Sequence, residues 1–225
     1  MPRPWQTIDS AETAEGRLEL LRRGERDFII KVDGRVLMNG NAHRSERVLA
    51  ELACNRLPAR SRPRILIGGL GLGFTLRAAL DALPAEAEVV VAELNPVVER
   101  WCRGPLLGLT EAAVNDPRVR VVITDVADLI AEGGGAAPFD AIVLDLYEGP
   151  CEATRHHPGR DRLWGREALA RTRAALSDGG ILAVWGEDPD TAFEKRLEAA
   201  GLPFERRRPG KGTARHVVYL AEAKG

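Results

Sequence analysis

Short apolar runs punctuate the chain: Arg64-Ile-Leu-Ile67, Glu88-Val-Val-Val-Ala-Glu93, Arg118 to Ile123, Phe139-Asp-Ala-Ile-Val-Leu-Asp145 and Ile181-Leu-Ala-Val-Trp185. They are rich in β-branched residues, too short for helices and mostly without alternation. That combination predicts strands buried on both faces, as in a parallel sheet. Helical stretches lie between them. Phe74-Thr-Leu-Arg-Ala-Ala-Leu80 begins a helix that runs to about Leu83 and stops at Pro84. Asn95-Pro96 pairs an N-cap with a proline at the first helical position, and Gly104-Pro105 ends that helix. Asp125 opens a short helix, Leu163 to Leu176 is predicted helical and closed by Asp178-Gly-Gly180, and Pro189 opens a helix to Ala200. Phe204 to Arg208 and His216 to Leu220 follow as strands with no helix between them, so an antiparallel hairpin closes the sheet. The predicted fold is α/β, a doubly wound, mostly parallel seven-stranded sheet.

The N-terminal part is patterned differently. Residues 1–16 read as a polar lead-in. Arg17 to Arg23 alternates, Asp27 to Asp33 is a strand, Asp33-Gly34 signals a hairpin turn, and Arg35 to Asn39 returns. This predicts a small antiparallel β-hairpin extension of two or three strands. Alone it is marginal, so it must pack on the main domain or a second subunit. A helix from Ser45 to Leu57 follows, with Val48, Leu49, Leu52, Ala53 and Leu57 as its apolar stripe. The expected division is 1–57 as an extension of hairpin and helix, and 58–225 as the α/β domain, entered through the Pro58 to Pro63 linker. Residues 149–162 lack periodicity and form a long loop, a candidate lid.

Composition adds exclusions. The 225 residues carry a net charge of −1 and are 44% hydrophobic, which disfavours general attraction to nucleic acid or anionic membrane. Cys54, Cys102 and Cys151 have no metal-type spacing, and His156-His157 has no matching Cys/His pair, so no metal is expected. No signal core or membrane-length apolar run is seen, and a reduced, cytoplasmic protein is expected.

The chemistry concentrates behind the first parallel strand. Gly68, Gly69, Gly71 and Gly73 separate it from a helix, the layout that lets bare backbone approach a nucleotide. The spacing fits neither a complete dinucleotide fingerprint nor a P-loop. Three acids then close three successive strands: Glu93, Asp125 (after Thr124) and Asp145. In an open parallel sheet that carboxyl edge is where ligands bind, and an acid about twenty residues beyond the glycines can accept ribose hydroxyls.

These motifs resemble the spermidine-synthase-like branch of the class I S-adenosylmethionine-dependent transferase fold. The resemblance runs from about residue 17 to 221 and includes Asp116-Pro-Arg-Val119, Leu176-Ser-Asp-Gly-Gly-Ile181 and the terminal hairpin. It implies that 58–225 binds the cofactor S-adenosylmethionine or its decarboxylated form. The Gly68 to Gly73 loop would pass under the methionine-derived part. Glu93, with Leu94 beside it, would bind the ribose. Asp125 would accept from the adenine amino group, Val126 would flank the ring, and Asp145 would face the reacting centre. A homodimer acting on a small-molecule acceptor is also implied.

Departures qualify this picture. Aminopropyltransferases carry Gly-Gly-Gly-Asp-Gly in the loop, and here Gly71, flanked by leucines, stands at the acid's position. Their Asp-x-Ser/Thr-Asp-Pro is here Asp145-Leu-Tyr-Glu148-Gly-Pro150, and their Tyr-His-Glu is Arg44-Ser45-Glu46. A polyamine needs several carboxylates to offset its lost hydration. The expectation is therefore methyl transfer to a small amine or hydroxyl, which asks less of the site. Asp145 would orient the nucleophile or take its proton, and Tyr147, Glu148 and Glu46 would line the acceptor pocket. Polyamine aminopropyl transfer is the alternative. A non-catalytic nucleoside-binding or assembly module is the second alternative.

Overall fold

The computed structural model describes residues 3–41, 43–58, 60–133, 137–151, 162–209 and 216–224. Its N-terminal sheet is antiparallel and takes its strands in chain order: β1 (Gln6–Thr13), β2 (Gly16–Arg23), β3 (Asp27–Val32) and β4 (Arg35–Asn39). The extension is thus a four-stranded sheet rather than a hairpin of two or three strands. The missed strand, β1, lies in the stretch read as a lead-in. Its sequence, Gln-Thr-Ile-Asp-Ser-Ala-Glu-Thr, has almost no apolar face, and it forms through pairing with β2 from Gln6↔Arg22 to Thr13↔Gly16. Asp33-Gly34 makes the expected turn between β3 and β4, both residues having positive φ, and the Asp33 carboxylate accepts from the Arg17 amide at 2.8 Å.

The main sheet is seven-stranded, in the order β10-β11-β9-β8-β5-β6-β7. Its strands are β5 (Arg64–Gly68), β6 (Glu88–Glu93), β7 (Val119–Ile123), β8 (Phe139–Leu144), β9 (Leu176–Gly186), β10 (Phe204–Arg207) and β11 (Val217–Glu222). Strands β5 to β9 pair in parallel, and β11 and β10 close the sheet antiparallel, as the absence of an intervening helix predicts. The helices are α1 (Arg44–Cys54), α2 (Phe74–Ala82), α3 (Pro96–Arg103), α4 (Val126–Ala131), α5 (Arg166–Ala175) and α6 (Thr191–Ala199). Helix α5 ends earlier than predicted. Leu176, Ser177 and Asp178 belong to β9 instead, because Leu176 pairs with Phe139 and the Ser177 hydroxyl donates to buried Asp140 at 2.8 Å.

Alternate residues of one strand feed two core layers. Ile65 and Ile67 join one cluster with Val89, Val91 and Leu76; Leu66 points to the other with Val90, Ile142 and Phe193. The first layer also takes Leu18, Leu20, Phe28, Ile30 and Val32 from the N-terminal sheet. That sheet therefore packs on its own main domain. Asp9 fastens it further: its carboxylate accepts from the indole N–H of Trp101 at 2.7 Å and from Arg100 at 3.0 Å, and these partners hold its carboxyl below the usual range. Among the described residues no helix is long and apolar enough to cross a membrane, and no group of His, Cys, Asp and Glu could hold a metal ion. All three cysteines are buried. His156-His157 and most of the 149–162 loop lie outside the described residues.

Trp101 is 1% exposed. Asp9→Ala should strand its N–H without an acceptor, at a cost of about 1–3 kcal/mol in urea-induced unfolding. A change under about 0.3 kcal/mol would show that the sheet is held by its apolar face alone.

Candidate active site

Four parallel strand ends stand side by side in the order β8, β5, β6, β7. The chain turns one way from β5 to β6 and the other way to β8, so the crevice outside β5 is a topological switch point. The glycine loop leaves β5 there. Gly69 has φ +89°, and a Cβ on it would stand 2.5 Å from the backbone oxygen of Asp145. Gly71 has φ +51°, and its Cβ would stand 2.2 Å from the Met38 sulfur. Only glycine lets the loop pass this close to β8 on one side and β4 on the other. Gly68 fits against Leu144 and Val126, and Gly73 caps α2.

Glu93, at the end of β6, is buried and ties the loop down. Its Oε2 accepts from the Leu70 amide at 2.9 Å and its Oε1 from the Asn95 amide at 2.8 Å. Burial raises its pKa, opposed by these backbone donors. The Gly71 and Leu94 amides add to these donors, so the carboxylate gathers the backbone of the glycine loop and of the turn after β6. Leu94 and Ile123, 48% and 42% exposed, leave apolar surface at this same edge. Asp125 caps α4, its Oδ1 accepting from the Ala127 amide at 2.9 Å. Its Oδ2 accepts from Arg162 at 2.7 Å, and the same guanidinium reaches Asp128. Val126, buried, faces Gly68.

Asp145 follows β8. Its Oδ2 accepts from the Thr75 hydroxyl at the start of α2. Loss of water pushes its pKa up to about 7, the negative charge of Glu46 adds to this, and the Thr75 bond opposes it. Glu46 lies in the first turn of α1, buried, with Ser45 donating to its Oε2 at 2.7 Å. The structure thus brings together Glu46 and Asp145, two predicted site residues distant in sequence. Tyr147, 45% exposed, and Glu148, partly buried, lie directly beyond Asp145. Three residues escaped the sequence reading. Thr75 looks like an ordinary helix residue, and Arg162 sits at the end of an aperiodic stretch. His43, which stacks on Phe74 with ring centroids 4.0 Å apart, has no motif around it.

No protein-family profile matches the chain. Spermidine synthase from Thermotoga maritima superposes with a TM-score of 0.74 and 19% identity, covering 99% of this chain and 81% of that one. The fold is spermidine-synthase-like. That makes it a member of the class I S-adenosylmethionine-dependent methyltransferase-like folds, as the motifs suggested. A spermidine synthase in complex with the transition-state analogue AdoDATO superposes over the same spans with a TM-score of 0.73, again at 19% identity. By sequence, the polyamine aminopropyltransferase of Mycobacterium tuberculosis is 32% identical over 135 residues, which is 57% of this chain and 24% of that protein. The match thus spans about a quarter of the relative's length. These relatives overturn the expectation of methyl transfer: each is an aminopropyltransferase or a spermidine synthase. The expectation had placed Glu46, Asp145 and Glu148 at the acceptor but gave more weight to the acid missing from the glycine loop.

Asp145 binds more protons in the folded than in the unfolded chain between its ordinary pKa of 3.8 and about 7. Stability therefore falls as pH rises through that window. Asp145→Asn should remove the fall. We expect a gain on the order of 2 kcal/mol at pH 8, after allowance for partial exposure, and none below pH 3.8. Equal effects at both ends, by thermal unfolding, would rule out the raised pKa.

Proposed function

We propose that this protein transfers the aminopropyl group of decarboxylated S-adenosylmethionine to an amine acceptor. The observation that carries the reading is the Glu46–Asp145 pair. Two carboxylates close enough to raise one pKa form a ready site for an ammonium, which relieves their repulsion and repays its own desolvation. The named relatives, all of this activity or this enzyme class, support it.

On this reading the nucleoside lies along the strand ends. The loop from Gly68 to Gly73 runs beneath the sulfonium end, Glu93 accepts from the ribose and Leu94 lies against it. Asp125 takes the adenine amino group and Val126 flanks the ring. The sulfonium supplies an electrophilic carbon and leaves as a neutral thioether. The chain's own residues attract the acceptor, orient its nitrogen and manage its proton. Asp145 and Glu46 draw in the ammonium, and Thr75 fixes the Asp145 carboxylate by donating to Oδ2. Tyr147 and Glu148 line the acceptor side. The glycine loop contributes no acid: Leu70 and Leu72 are buried, and Met38 fills the space beside Gly71. Donor and acceptor cations therefore share Glu46, Asp145 and Glu148.

Calorimetric titration tests this directly. Decarboxylated S-adenosylmethionine should bind, and more tightly than the carboxylated form. Asp125→Asn keeps the helix cap but turns a donor toward the adenine amino group, so affinity should drop about tenfold or more. Binding of neither form, or a preference for the carboxylated one, would overturn the assignment. In assays with a diamine, Glu46→Gln should raise the acceptor KM by about tenfold or more and should also weaken donor binding, because the two cations share this carboxylate.

A further inference from the structure

Arg162 joins two acids at the end of β7. Its Nη1 donates to Asp125 Oδ2 at 2.7 Å, and its Nη2 donates to Asp128 Oδ1. The other Asp125 oxygen caps α4. An isolated ion pair at so exposed an edge is worth little to stability. This one is held on both sides. Trp164, two residues on, is 3% exposed and meets Phe193 edge-on, with centroids 5.7 Å apart. Helix α5, which follows directly, packs on α4. The backbone that carries Arg162 is therefore fixed relative to Asp125, and two carboxylates rather than one hold the guanidinium in place.

The pair also has a definite hydrogen-bonding pattern. Asp125 Oδ2 is an acceptor, Arg162 Nη1 is a donor, and they stand side by side. The edge of adenine is complementary: an amino group that donates lies next to a ring nitrogen that accepts. The amides of Asn and Gln read adenine in nucleic acids with the same adjacent acceptor and donor. Sharing Oδ2 is no obstacle, because a carboxylate oxygen has two lone pairs. Among the described residues the two bonds of Arg162 use two of its five N–H groups. Leu94 and Ile123, exposed at the same sheet edge, supply apolar surface for a ring. Strands β5 and β6 separate β7 from β8, so this cation stands apart from Asp145 and the charges gathered there.

Resting on the reading that Asp125 takes the adenine amino group, we propose that Arg162 reads the base of the donor, its Nη1 donating to the ring nitrogen beside that amino group. Asp125 and Arg162 then act as one bidentate unit, and Asp128 holds the arginine in position. A 6-oxopurine offers an acceptor in place of the amino group and leaves Asp125 facing an oxygen, so the unit also rejects it.

Arg162→Met keeps the length of the side chain and removes every donor. Thermal unfolding checks that the variant is folded. The probe is 5′-methylthioadenosine, titrated calorimetrically into the full chain, together with its 1-deaza and 7-deaza analogues, in which C–H replaces one ring nitrogen beside the amino group. The variant should bind 5′-methylthioadenosine about tenfold more weakly. The unaltered protein should lose about tenfold with one of the two analogues, the one lacking the nitrogen that faces Arg162. The variant should not distinguish that analogue from the parent nucleoside. Equal or tighter binding by Arg162→Met would make the arginine a surface pair or a competitor for Asp125. Continued sensitivity of the variant to the same analogue would assign the ring nitrogen to another donor. Either result overturns the proposal, as does indifference of the unaltered protein to both analogues. If the unaltered protein binds no adenine nucleoside at all, the donor reading itself fails. If it binds and only the Arg162 comparisons fail, that reading stands.

Discussion

Two negative charges held near each other at a strand end cost free energy, and much of the surrounding structure keeps them there. Asp145 comes from the centre of the parallel sheet, which cannot shift without disturbing β5 and β9. Glu46 comes from α1, outside that sheet, and is placed by the packing of α1 against α2 and β9. The α2 contact matters twice, since α2 also brings Thr75 to Asp145. Such an arrangement lowers the stability of the protein above neutral pH, and a cation between the two carboxylates would restore it. Strain of this kind at a ligand site is offset by burial elsewhere.

The glycine loop meets the opposite demand. It must come close to everything and repel nothing. Its backbone rests on β8 at Gly69, on Met38 of the N-terminal sheet at Gly71, and on the Glu93 carboxylate through the Leu70 amide. The N-terminal sheet is therefore part of the loop's support. Met38 also explains in space why an acid at Gly71 is not accommodated: β4 already occupies the volume into which it would project.

The main sheet could be read because its signals are local. Unbroken apolar runs announce strands buried on both faces, and acids at their ends align automatically when the strands are parallel. Strand β1 could not be read that way. Its polar residues gain their conformation from β2 and from Trp101, neither of which marks the strand itself. The start of β9 failed for a related reason: Asp178-Gly-Gly180 is good turn chemistry, overridden by pairing with β8 and by the Ser177–Asp140 bond. At the site, Glu93, Asp125 and Asp145 were legible from strand position. The nearness of Glu46 to Asp145, and the contacts of His43 and Arg162, depend on tertiary packing that no spacing rule records.

The bond between Asp9 and Trp101 spans 92 residues and joins the first strand of the chain to a helix made much later. During synthesis the N-terminal sheet emerges first, with the face formed by Leu18, Leu20, Phe28 and Ile30 still lacking its partner layer. At roughly 5–20 residues per second, α3 follows only after some seconds. The polar first strand then has a second use. It pairs along the edge of β2 and leaves a polar strand at the border of the sheet, a poor template for another nascent chain.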